Sequence, residues 1–483
     1  MKVYDTIFEA VVHWIAWGFE AVIFAYFISY FLLNVLSLVL SFWYCRKYSQ
    51  STLTNPIDFE ALDELKNLLP PVTLVVPAYN EERVIAHSIR SLLALSYSRL
   101  EVVVVNDGSR DGTLDELIRS FSLRRSEVRP SGGLPTKPVK GIYISAVEPR
   151  VVVVDKVNGG KADSINAGIN FSQSPYFIGM DADSLFEPEA VSHALRLILE
   201  DPEHVVAVGG VVRGINGSIV DAGRIRRPHL LFNFWVIIQV IEYLRSFLAG
   251  RTAWSLMNGL VIIPGAFGLF QKAAVVEAGG YATDTVTEDF ELTLRMHRYA
   301  REKGLKWRIM LAPDAVCWTE MPASRKVLSS QRKRWHEGLL QTLLLHRKML
   351  FNWRYGVVGL VALPYELFYE AGGPLIEILG LVLMPVLFLL GWVDESAFVV
   401  FTALAFFAGV LFSLMAVLID QIYFPRYHFP RDAILLLAFS LIECFGYRQL
   451  YLWWRLEATW NFFFGTVVWR VSERSGFATR AEG

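Results

Sequence analysis

Long uncharged apolar runs constrain this 483-residue chain more than any other feature, because such runs have to be shielded from water or placed in lipid. The first run, residues 21–42, reads AVIFAYFISYFLLNVLSLVLSF and is long enough to cross a bilayer core of ~30 Å. It is longer than the hydrophobic region of a signal peptide, and no small-residue cleavage site follows it. Residues 1–45 are therefore predicted to hold a retained N-terminal transmembrane segment. The basic stretch Cys45–Lys47 predicts that the next residues are cytoplasmic.

A second apolar region, residues 356–463, is predicted to form C-terminal transmembrane and interface helices. Its three segments that are long enough to span a membrane are residues 372–393, 397–422 and 433–454. The shorter piece 356–371 contains a proline and two glutamates, which favours a re-entrant or interfacial position. The preceding residues 323–355 are basic and amphipathic, which predicts helices lying on the membrane surface.

Charge and cysteine content exclude several classes of protein. The formal net charge is −1, whereas a nucleic-acid-binding domain is usually strongly basic, so no nucleic-acid partner is expected. The cysteines, Cys45, Cys317 and Cys444, are odd in number and far apart, which predicts neither a disulfide framework nor a zinc site. This pattern fits a central domain in a reducing compartment.

Residues 46–322 alternate short β-branched runs with helical patterns, which predicts a cytoplasmic α/β domain with a mostly parallel sheet. The predicted strands are residues 72–79, 100–107, 150–156, 176–183 and 204–212, with helices such as 82–95 and 187–200 between them. Residues 124–148, rich in proline, glycine and basic residues, are interpreted mainly as a loop. In sheets of this kind the ligand lies beyond the carboxyl ends of the strands.

Polar motifs stand where four of these strands end. They are PAYNEE (77–82), NDGSRDGT (106–113), NGGKADSINAG (158–168) and DAD (181–183). Each motif alone also fits ordinary turn or helix-capping chemistry. Two carboxylates separated by one residue, as at Asp181 and Asp183, can share a hard cation that also binds phosphate oxygens, and Mg²⁺ and Mn²⁺ are such cations.

Residues 287–291, TEDFE, begin a helical pattern and permit two interpretations. Thr287 can serve as the N-cap, with the acidic residues of the first turn complementing the helix dipole. Alternatively, Glu288 or Asp289 accepts a proton in a reaction. The choice between the two depends on the rest of the chain.

Together these motifs resemble those of the processive family 2 inverting glycosyltransferases of membranes, which are the synthases of cellulose, chitin, hyaluronan and poly-N-acetylglucosamine. Further motifs that carry the resemblance are PGAFGLF (264–270), TED (287–289), CWTE (317–320) and QRKRW (331–335). The resemblance covers residues 70–351 closely and the flanking membrane segments in kind. The Q-x-x-R-W pattern separates the processive branch from simpler relatives. The resemblance implies a GT-A fold embedded between transmembrane helices.

The resemblance also implies which residues bind the donor. Tyr79, Glu81 and Asp107 would hold uridine, and Lys161 would meet the diphosphate. Asp181 and Asp183 would be the metal-binding pair next to the substrate, with Asp183 the more direct ligand. Asn106 departs from the pattern, because many members have a second aspartate there, and this departure puts the nucleotide contacts of that position in doubt.

Acceptor and catalytic residues follow from the same resemblance. Phe267 and Gly268 lie where the family shapes the acceptor pocket. Asp289 matches the general base, with Glu288 as its catalytic neighbour. Gln331, Arg334 and Trp335 match the motif that clamps the pyrophosphate and presents an aromatic face to the acceptor sugar.

The implied function is a multi-pass, inner-membrane synthase that polymerises a β-linked polysaccharide from a UDP-sugar with Mg²⁺ or Mn²⁺ and passes the growing glycan acceptor through its own helices. UDP-N-acetylglucosamine is the expected donor, with UDP-glucose next. Second-messenger control would require a partner chain, and the partners considered include an accessory export or regulatory subunit. Two alternatives remain open: a non-processive enzyme that transfers one sugar to a lipid carrier, and a catalytically inactive export or binding subunit.

Two expectations concern the membrane half. Most of its ionisable residues are expected to face a polar translocation path together with Trp453 and Trp454, because charge is costly in lipid; they are Glu366, Glu370, Glu377, Asp420, Glu443 and Arg448. The tail 464–483 resembles a mobile segment that closes over UDP, in which Trp469 covers the site and Arg470 or Arg474 meets the diphosphate. This second expectation requires a cytosolic tail, although the arginines of the 424–432 loop favour a span count that places the tail outside.

Overall fold

The computed structural model describes residues 2–59, 61, 69–221, 224–427 and 429–465. The residues expected to close over UDP, Trp469, Arg470 and Arg474, lie outside this described part of the chain.

The N-terminal apolar run lies within one long helix, α1 (Lys2–Thr54). The helix extends beyond the predicted transmembrane segment because its last turns pack on the central domain. The hydroxyl of Tyr44 donates a hydrogen bond to the carbonyl of Leu311 at 2.7 Å, and that of Tyr48 donates to the Asp314 carboxylate at 2.5 Å. Both tyrosines are buried. The long N-terminal helix is thus joined directly to the α/β domain.

The central domain is built on a ten-stranded sheet with the strand order β3-β4-β5-β2-β1-β6-β11-β8-β12-β7, and β9 pairs with β10 in a separate ribbon. The strands are β1 (Val72–Ala78), β2 (Leu100–Asp107), β3 (Leu123–Ser126), β4 (Val139–Ser145), β5 (Val151–Lys156), β6 (Tyr176–Gly179), β7 (Leu185–Phe186), β8 (Val205–Gly214), β9 (Ile219–Asp221), β10 (Arg224–Arg227), β11 (Gly268–Gln271) and β12 (Arg308–Thr319).

The centre of the sheet is parallel. Val72 of β1 pairs in parallel register with Leu100 of β2 and with Tyr176 of β6, and Val102 of β2 pairs with Val151 of β5. These strands are buried on both faces, which explains their continuous β-branched runs. The prediction of an α/β GT-A-like domain with a mostly parallel sheet is confirmed, although the sheet is mixed: β11 runs antiparallel to both β6 and β8.

The stretch 124–148 differs in part from its interpretation as a loop. It contains most of an antiparallel pair, β3 and β4, in which Leu123 faces Ser145. Strand β4 extends the sheet by pairing with β5, so that Ile144 lies opposite Val152. The alternating pattern of VKGIYIS is a strand signal, but the flanking prolines and glycines obscure it.

Helices surround the sheet and connect it to the apolar region. They are α1 as above, α2 (Ile85–Leu93), α3 (Thr113–Phe121), α4 (Lys161–Phe171), α5 (Ala190–Glu200), α6 (Phe234–Ser246), α7 (Thr252–Leu256), α8 (Lys272–Glu277), α9 (Glu288–Lys303), α10 (Arg325–Leu345), α11 (Leu363–Tyr365), α12 (Gly373–Leu389), α13 (Glu395–Thr402), α14 (Ala408–Tyr423), α15 (Pro430–Ile442) and α16 (Tyr447–Phe464). Short π-helical turns are at Phe247–Arg251, Val358–Ala362, Glu366–Ala371 and Ala403–Phe407, and 3₁₀ turns are at Arg347–Met349 and Trp353–Tyr355.

Within the described residues, two helices are long and apolar enough to cross a membrane by themselves, Trp17–Thr54 and Glu395–Tyr423. Two bent pairs bring the number of candidate spans to four if each counts as one span. They are Val358–Ala371 with Gly373–Leu389, bent by 44°, and Pro430–Ile442 with Tyr447–Phe464, bent by 65°.

The predicted span 433–454 is therefore not one straight helix. Its break lies at Gly446, whose φ of 89° belongs to the region that favours glycine. Beside the break, the Glu443 carboxylate accepts a hydrogen bond from Arg245 of α6 at 2.6 Å. Farther along, Arg455 of α16 donates to the ring of His336 in α10 at 3.2 Å. These contacts hold both halves of the bent pair against helices of the central domain.

Buried ion pairs connect the apolar helices to the sheet. Arg213 in β8 pairs with Asp420 in α14 at 2.5 Å, and both side chains are buried. Arg426, in the loop after α14, pairs with Glu187 at 2.8 Å. This loop consequently lies against the α/β domain.

Candidate active site

A cavity of about 3590 Å³ opens at the carboxyl ends of the central strands. Most of the residues predicted to form the site line this cavity, namely Tyr79, Glu81, Asp107, Lys161, Asp181, Asp183, Glu288, Asp289, Gln331, Arg334 and Trp335. Tyr79 presents an exposed ring, 40% accessible, at the end of β1. Residues from six separate motifs along the chain thus meet at one concave surface.

Asp107, at the end of β2, orders the loop that leads to Lys161. Its carboxylate accepts hydrogen bonds from the Lys156 ammonium at 2.5 Å and from the backbone N–H groups of Gly159 and Gly160 at 2.9 and 2.8 Å. Gly160 has a φ of 89°, a conformation that side-chain-bearing residues rarely adopt. The local sequence N-G-G-K therefore folds around Asp107 and begins helix α4 at Lys161.

Lys156 was not predicted from the sequence as part of the site. It is fully buried, and its ammonium lies between the Asp107 carboxylate at 2.5 Å and the Asp163 carboxylate at 2.6 Å. A buried cation is tolerated only with such partners. Lys156 is the last residue of β5, and the sequence around it does not indicate that Asp107 and Asp163 are its partners.

Lys161 lies beside the acids of the DAD and TED motifs. Its ammonium lies 2.8 Å from Asp181 and 3.5 Å from Glu288, and it donates to the carbonyl of Gly265 at 3.2 Å. Burial by itself would lower the pKa of Lys161, but the charges of Asp181 and Glu288 raise it above its ordinary value. Lys161 is therefore positively charged at neutral pH and available to an anionic group.

Asp181 and Asp183 satisfy the simplest requirement for a hard divalent cation. Both carboxylates line the cavity, one residue apart after β6. Within the described residues, no group of three or more His, Cys, Asp and Glu side chains is arranged to hold a metal ion. Oxygen ligands from a phosphate-bearing ligand and water would therefore have to complete the coordination shell, as Mg²⁺ commonly requires. The donor set fits such an ion.

The TED motif begins helix α9, and Thr287 occupies the N-cap position. Its side chain makes no capping hydrogen bond, and its hydroxyl is buried without a partner among the described residues. Burial raises the pKa of Glu288, Lys161 opposes this rise, and the neighbouring Asp289 adds to it. The acids of this first turn therefore face the cavity and its charges, which capping alone does not explain.

Asp289 and Lys161 both approach Gly265. A Cβ atom added to Gly265 would lie 3.0 Å from an Asp289 carboxylate oxygen and 3.2 Å from the Lys161 ammonium. Both distances are shorter than ordinary contacts, so a side chain at position 265 would displace the Asp289 carboxylate or the Lys161 ammonium slightly. Gly265 belongs to the motif PGAFGLF. Within this motif, the resemblance points to the later residues Phe267 and Gly268 instead.

Phe267 and Gly268 themselves do not line the cavity. Phe267 is fully buried, and the centroid of its ring lies 4.5 Å from that of the stacked Phe186 ring. The Phe267 ring also occupies the space that a side chain at Gly210 would need. Gly268 is buried as the first residue of β11. Their predicted contact with an acceptor is corrected accordingly: the neighbouring residues 265–266 line the cavity instead. The sequence cannot show which side of this strand faces the core.

Helix α10 presents the Q-x-x-R-W residues to the cavity. Arg334 and Trp335 are exposed there, and the Gln331 side-chain oxygen is buried without a hydrogen-bond partner among the described residues. Arg332, a variable position of the motif, stacks on the Trp335 ring at 4.4 Å. It also pairs with Glu242 of α6 at 2.6 Å. Arg332 was missed because the motif specifies no residue at this position.

Asn106 faces away from the cavity. Its side-chain amide donates to the Asp155 carboxylate on the neighbouring strand at 2.7 Å. Asn106, the residue that departs from the family pattern, thus lies inside the sheet. Its neighbour Asp107 lines the cavity.

The cavity continues from the strand ends into the apolar helices. Its walls there include Glu366, Glu370, Glu377, Glu443, Arg448, Trp453 and Trp454. Glu377 pairs with Arg448 at 2.8 Å across this space. Asp420 is the exception among the expected residues, because it is fully buried against Arg213 and does not line the cavity. One continuous space therefore joins the predicted catalytic carboxylates to ionisable residues of the membrane half.

Sequence comparisons match the central domain. The family described as "Glycosyl transferase family 2" matches residues 73–129, and the one described as "Glycosyltransferase like family 2" matches residues 144–338. Curated relatives include the poly-beta-1,6-N-acetyl-D-glucosamine synthases of Staphylococcus aureus strain COL, 28% identical over 283 residues, and of Staphylococcus epidermidis strain ATCC 35984, 27% identical over 273 residues. These matches cover 59% and 56% of this chain and 57% and 55% of the relatives, so the chain matches less than two thirds of their length.

Among solved structures, a mannosyltransferase from Pyrobaculum calidifontis in complex with GDP-Man and Mn²⁺ matches with a TM-score of 0.51. It is 18% identical, and the match covers 92% of this chain and 99% of that one. At this identity the likeness concerns the fold, which is of the same GT-A-like kind.

Proposed function

Because the chain belongs to glycosyltransferase family 2, we propose that it is an inverting, processive synthase of the membrane that builds a β-linked polysaccharide and passes it through its own helices. The observation that carries the proposal is the continuous cavity. It begins at Lys161 and Asp289 and extends to Glu377 and Arg448 among the apolar helices. A cavity of this shape suits a product that grows at one end and leaves at the other. The matched poly-beta-1,6-N-acetyl-D-glucosamine synthases support a polysaccharide product.

The proposed donor is UDP-N-acetylglucosamine, with UDP-glucose as the next choice. The names of the matched relatives support the first choice. Tyr79, Glu81 and Asp107 would surround the nucleoside, and Lys161 and Arg334 would approach the diphosphate. Asp107 would act in part through the loop it orders, because its carboxylate is already hydrogen-bonded to that loop.

The proposed reaction is one displacement with inversion at the anomeric carbon. A hydroxyl oxygen of the acceptor sugar forms a bond to this carbon, while the bond from the carbon to the diphosphate oxygen breaks and its electron pair leaves with UDP. Asp289 takes the proton of the attacking hydroxyl, which is the role of a general base. Lys161 and Arg334 balance the charge on the departing diphosphate. Trp335 offers its ring to the acceptor sugar.

Asp181 and Asp183 would hold the divalent cation, Mg²⁺ or Mn²⁺. When bound, such an ion supplies positive charge beside the diphosphate and so favours its departure. The two carboxylates, one residue apart at the edge of the cavity, are the observation that supports this assignment.

The proposal places the enzyme in the cell membrane with the α/β domain on the cytoplasmic side, where nucleotide sugars are available. Its test is nucleoside diphosphate release by the purified full chain in the presence of Mn²⁺ and a panel of donors, measured as UDP from UDP-N-acetylglucosamine, UDP-glucose and UDP-galactose and as GDP from GDP-mannose. Release with UDP-N-acetylglucosamine above the other donors, and a product digested by a matching glycosidase, is the expected result. Absence of release with every donor would refute the catalytic proposal.

A further inference from the structure

Helix α10 carries the Q-x-x-R-W motif and, beyond it, two residues that have no part in the proposed reaction, Gly338 and Gln341. Gln331 and Arg334 line the cavity, and Gly338 and Gln341 follow at the three- and four-residue spacing that places side chains on one face of a helix. The first pair faces the reaction space. The second pair contacts the loop that leads into the TED motif.

Gly338 packs against Thr287, the residue immediately before Glu288. A Cβ built on Gly338 would overlap the Cγ2 and Oγ1 atoms of Thr287 and would lie 2.9 Å from its Cβ. Such overlap requires a shift of the loop or of the helix. Thr287 can approach this closely because position 338 has no side chain.

Gln341 makes two hydrogen bonds to the same loop. Its side-chain oxygen accepts from the backbone N–H of Val286 at 3.0 Å, and its side-chain nitrogen donates to the carbonyl of Asp284 at 3.0 Å. Behind these contacts, Phe290 of α9 is buried in a cluster with Leu339 and Leu340 of α10. Backbone groups of the loop are thus held by a side chain of the helix that presents Trp335.

We infer that Gly338 and Gln341 are positioning residues, which set the place of the Asp289 carboxylate relative to Trp335 by fixing the 284–287 loop on helix α10. The inference rests on the proposed function, in which Asp289 takes the acceptor proton and Trp335 contacts the acceptor sugar. One rigid helix then sets the spacing between the base and the Trp335 ring, whereas Tyr79 and Asp107, which would surround the nucleoside, lie at the ends of β1 and β2. A displacement of about 1 Å at such a place can reduce a reaction rate by ~100-fold.

The decisive variant is Gly338→Ala in the full chain. Alanine favours a helix over glycine by ~1 kcal/mol, so helix propensity does not oppose this change. We expect kcat for sugar transfer to fall by at least ~10-fold, while the Kd for UDP changes by less than ~2-fold, because the loop shifts the base and not the nucleotide site. The matched control is Gly133→Ala, since a Cβ at Gly133 meets nothing within 4 Å.

Rescue separates positioning from a general structural effect. Thr287→Ala, introduced into the Gly338→Ala variant, removes the two atoms that would overlap and is expected to restore most of kcat. Gln341→Leu, which cannot make either hydrogen bond, is expected to lower kcat at unchanged UDP affinity. Gln341→Glu, which keeps an acceptor for Val286, should retain more of kcat than Gln341→Leu.

Three outcomes overturn the inference. If the wild-type chain transfers sugar and Gly338→Ala behaves as Gly133→Ala does, the positioning role is wrong while the proposed function stands. If Gly338→Ala loses UDP binding in proportion to kcat and Thr287→Ala does not rescue it, the contact is merely structural. A wild-type chain that transfers no sugar from any donor overturns the proposed function and, with it, the inference.

Discussion

Asp289 and Glu288 are adjacent acids with different surroundings. Glu288 faces Lys161 at 3.5 Å, and burial raises its pKa. Asp289 lies close to Gly265 and lines the same cavity. At the residue scale, Glu288 contacts Lys161 directly, and Asp289 is the acid that we propose as the proton acceptor.

Asp289→Asn is expected to lower the transfer rate by ~10²–10⁴-fold, because an amide cannot take the acceptor proton. UDP affinity should stay near that of the wild type, since the base acts on the acceptor. Titration calorimetry with UDP and a coupled UDP-release assay measure the two quantities. The matched control is Asp284→Asn, an exposed carboxylate in the same loop that does not line the cavity. Near-normal turnover of a folded Asp289→Asn variant would contradict the assignment.

Removal of the divalent cation should abolish turnover, and added Mn²⁺ or Mg²⁺ should restore it. Asp183→Ala should weaken binding of the nucleotide sugar in the presence of the metal and should have little effect on the weaker binding in its absence, because the carboxylate acts through the ion. Binding measured with and without chelator separates these cases. Turnover that persists in excess chelator would show that Asp181 and Asp183 have another role.

At the scale of elements, the buried ion cluster of Lys156 joins β2, β5 and α4. Its carboxylate partners are Asp107 at the end of β2 and Asp163 in α4. The same Asp107 holds the backbone of Gly159 and Gly160. This cluster fixes the start of α4, and thus Lys161, to the edge of the sheet.

Lys156→Met is expected to lower the free energy of unfolding by ~3–5 kcal/mol, because two buried carboxylates lose their cation. Denaturant unfolding of the purified chain, followed by the fluorescence of its tryptophans, measures the change. The control is Arg119→Met, which removes an exposed pair with Glu116 and should cost no more than ~1 kcal/mol. An equal effect of the two changes would contradict the importance of the cluster.

The sequence predicts an element well where the residues of that element alone determine its structure, and poorly where the structure depends on distant partners. The β-branched runs at 72–79 and 100–107 become β1 and β2 with nearly the same bounds, because a strand buried on both faces needs a continuous apolar run. The antiparallel insertion of β11 and the orientation of Phe267 depend on distant partners such as Gly210. The role of Arg332 likewise depends on Glu242, 90 residues away. Pairing across such distances leaves no local trace in one sequence.

At the scale of the whole molecule, the fold couples a family 2 catalytic domain to helices that are apolar enough for a membrane. Ion pairs such as Arg213 with Asp420 and Arg245 with Glu443 join the two parts. The cavity passes between these parts and leads from the catalytic edge of the sheet to the apolar helices. This continuation supports the proposed processive synthesis, because a product that stays bound while it grows needs a path away from the reaction site.

Product length therefore tests the central claim most directly. The purified full chain, at an enzyme concentration far below that of the donor, is incubated with radiolabelled UDP-N-acetylglucosamine and Mn²⁺, and products are separated by size at early times. The account predicts long polymer from the first time points, with few chains of intermediate length, and digestion of that polymer by a glycosidase specific for β-linked N-acetylglucosamine. Products that carry a single added sugar, or a population that lengthens evenly from one sugar upward, would contradict a processive polysaccharide synthase.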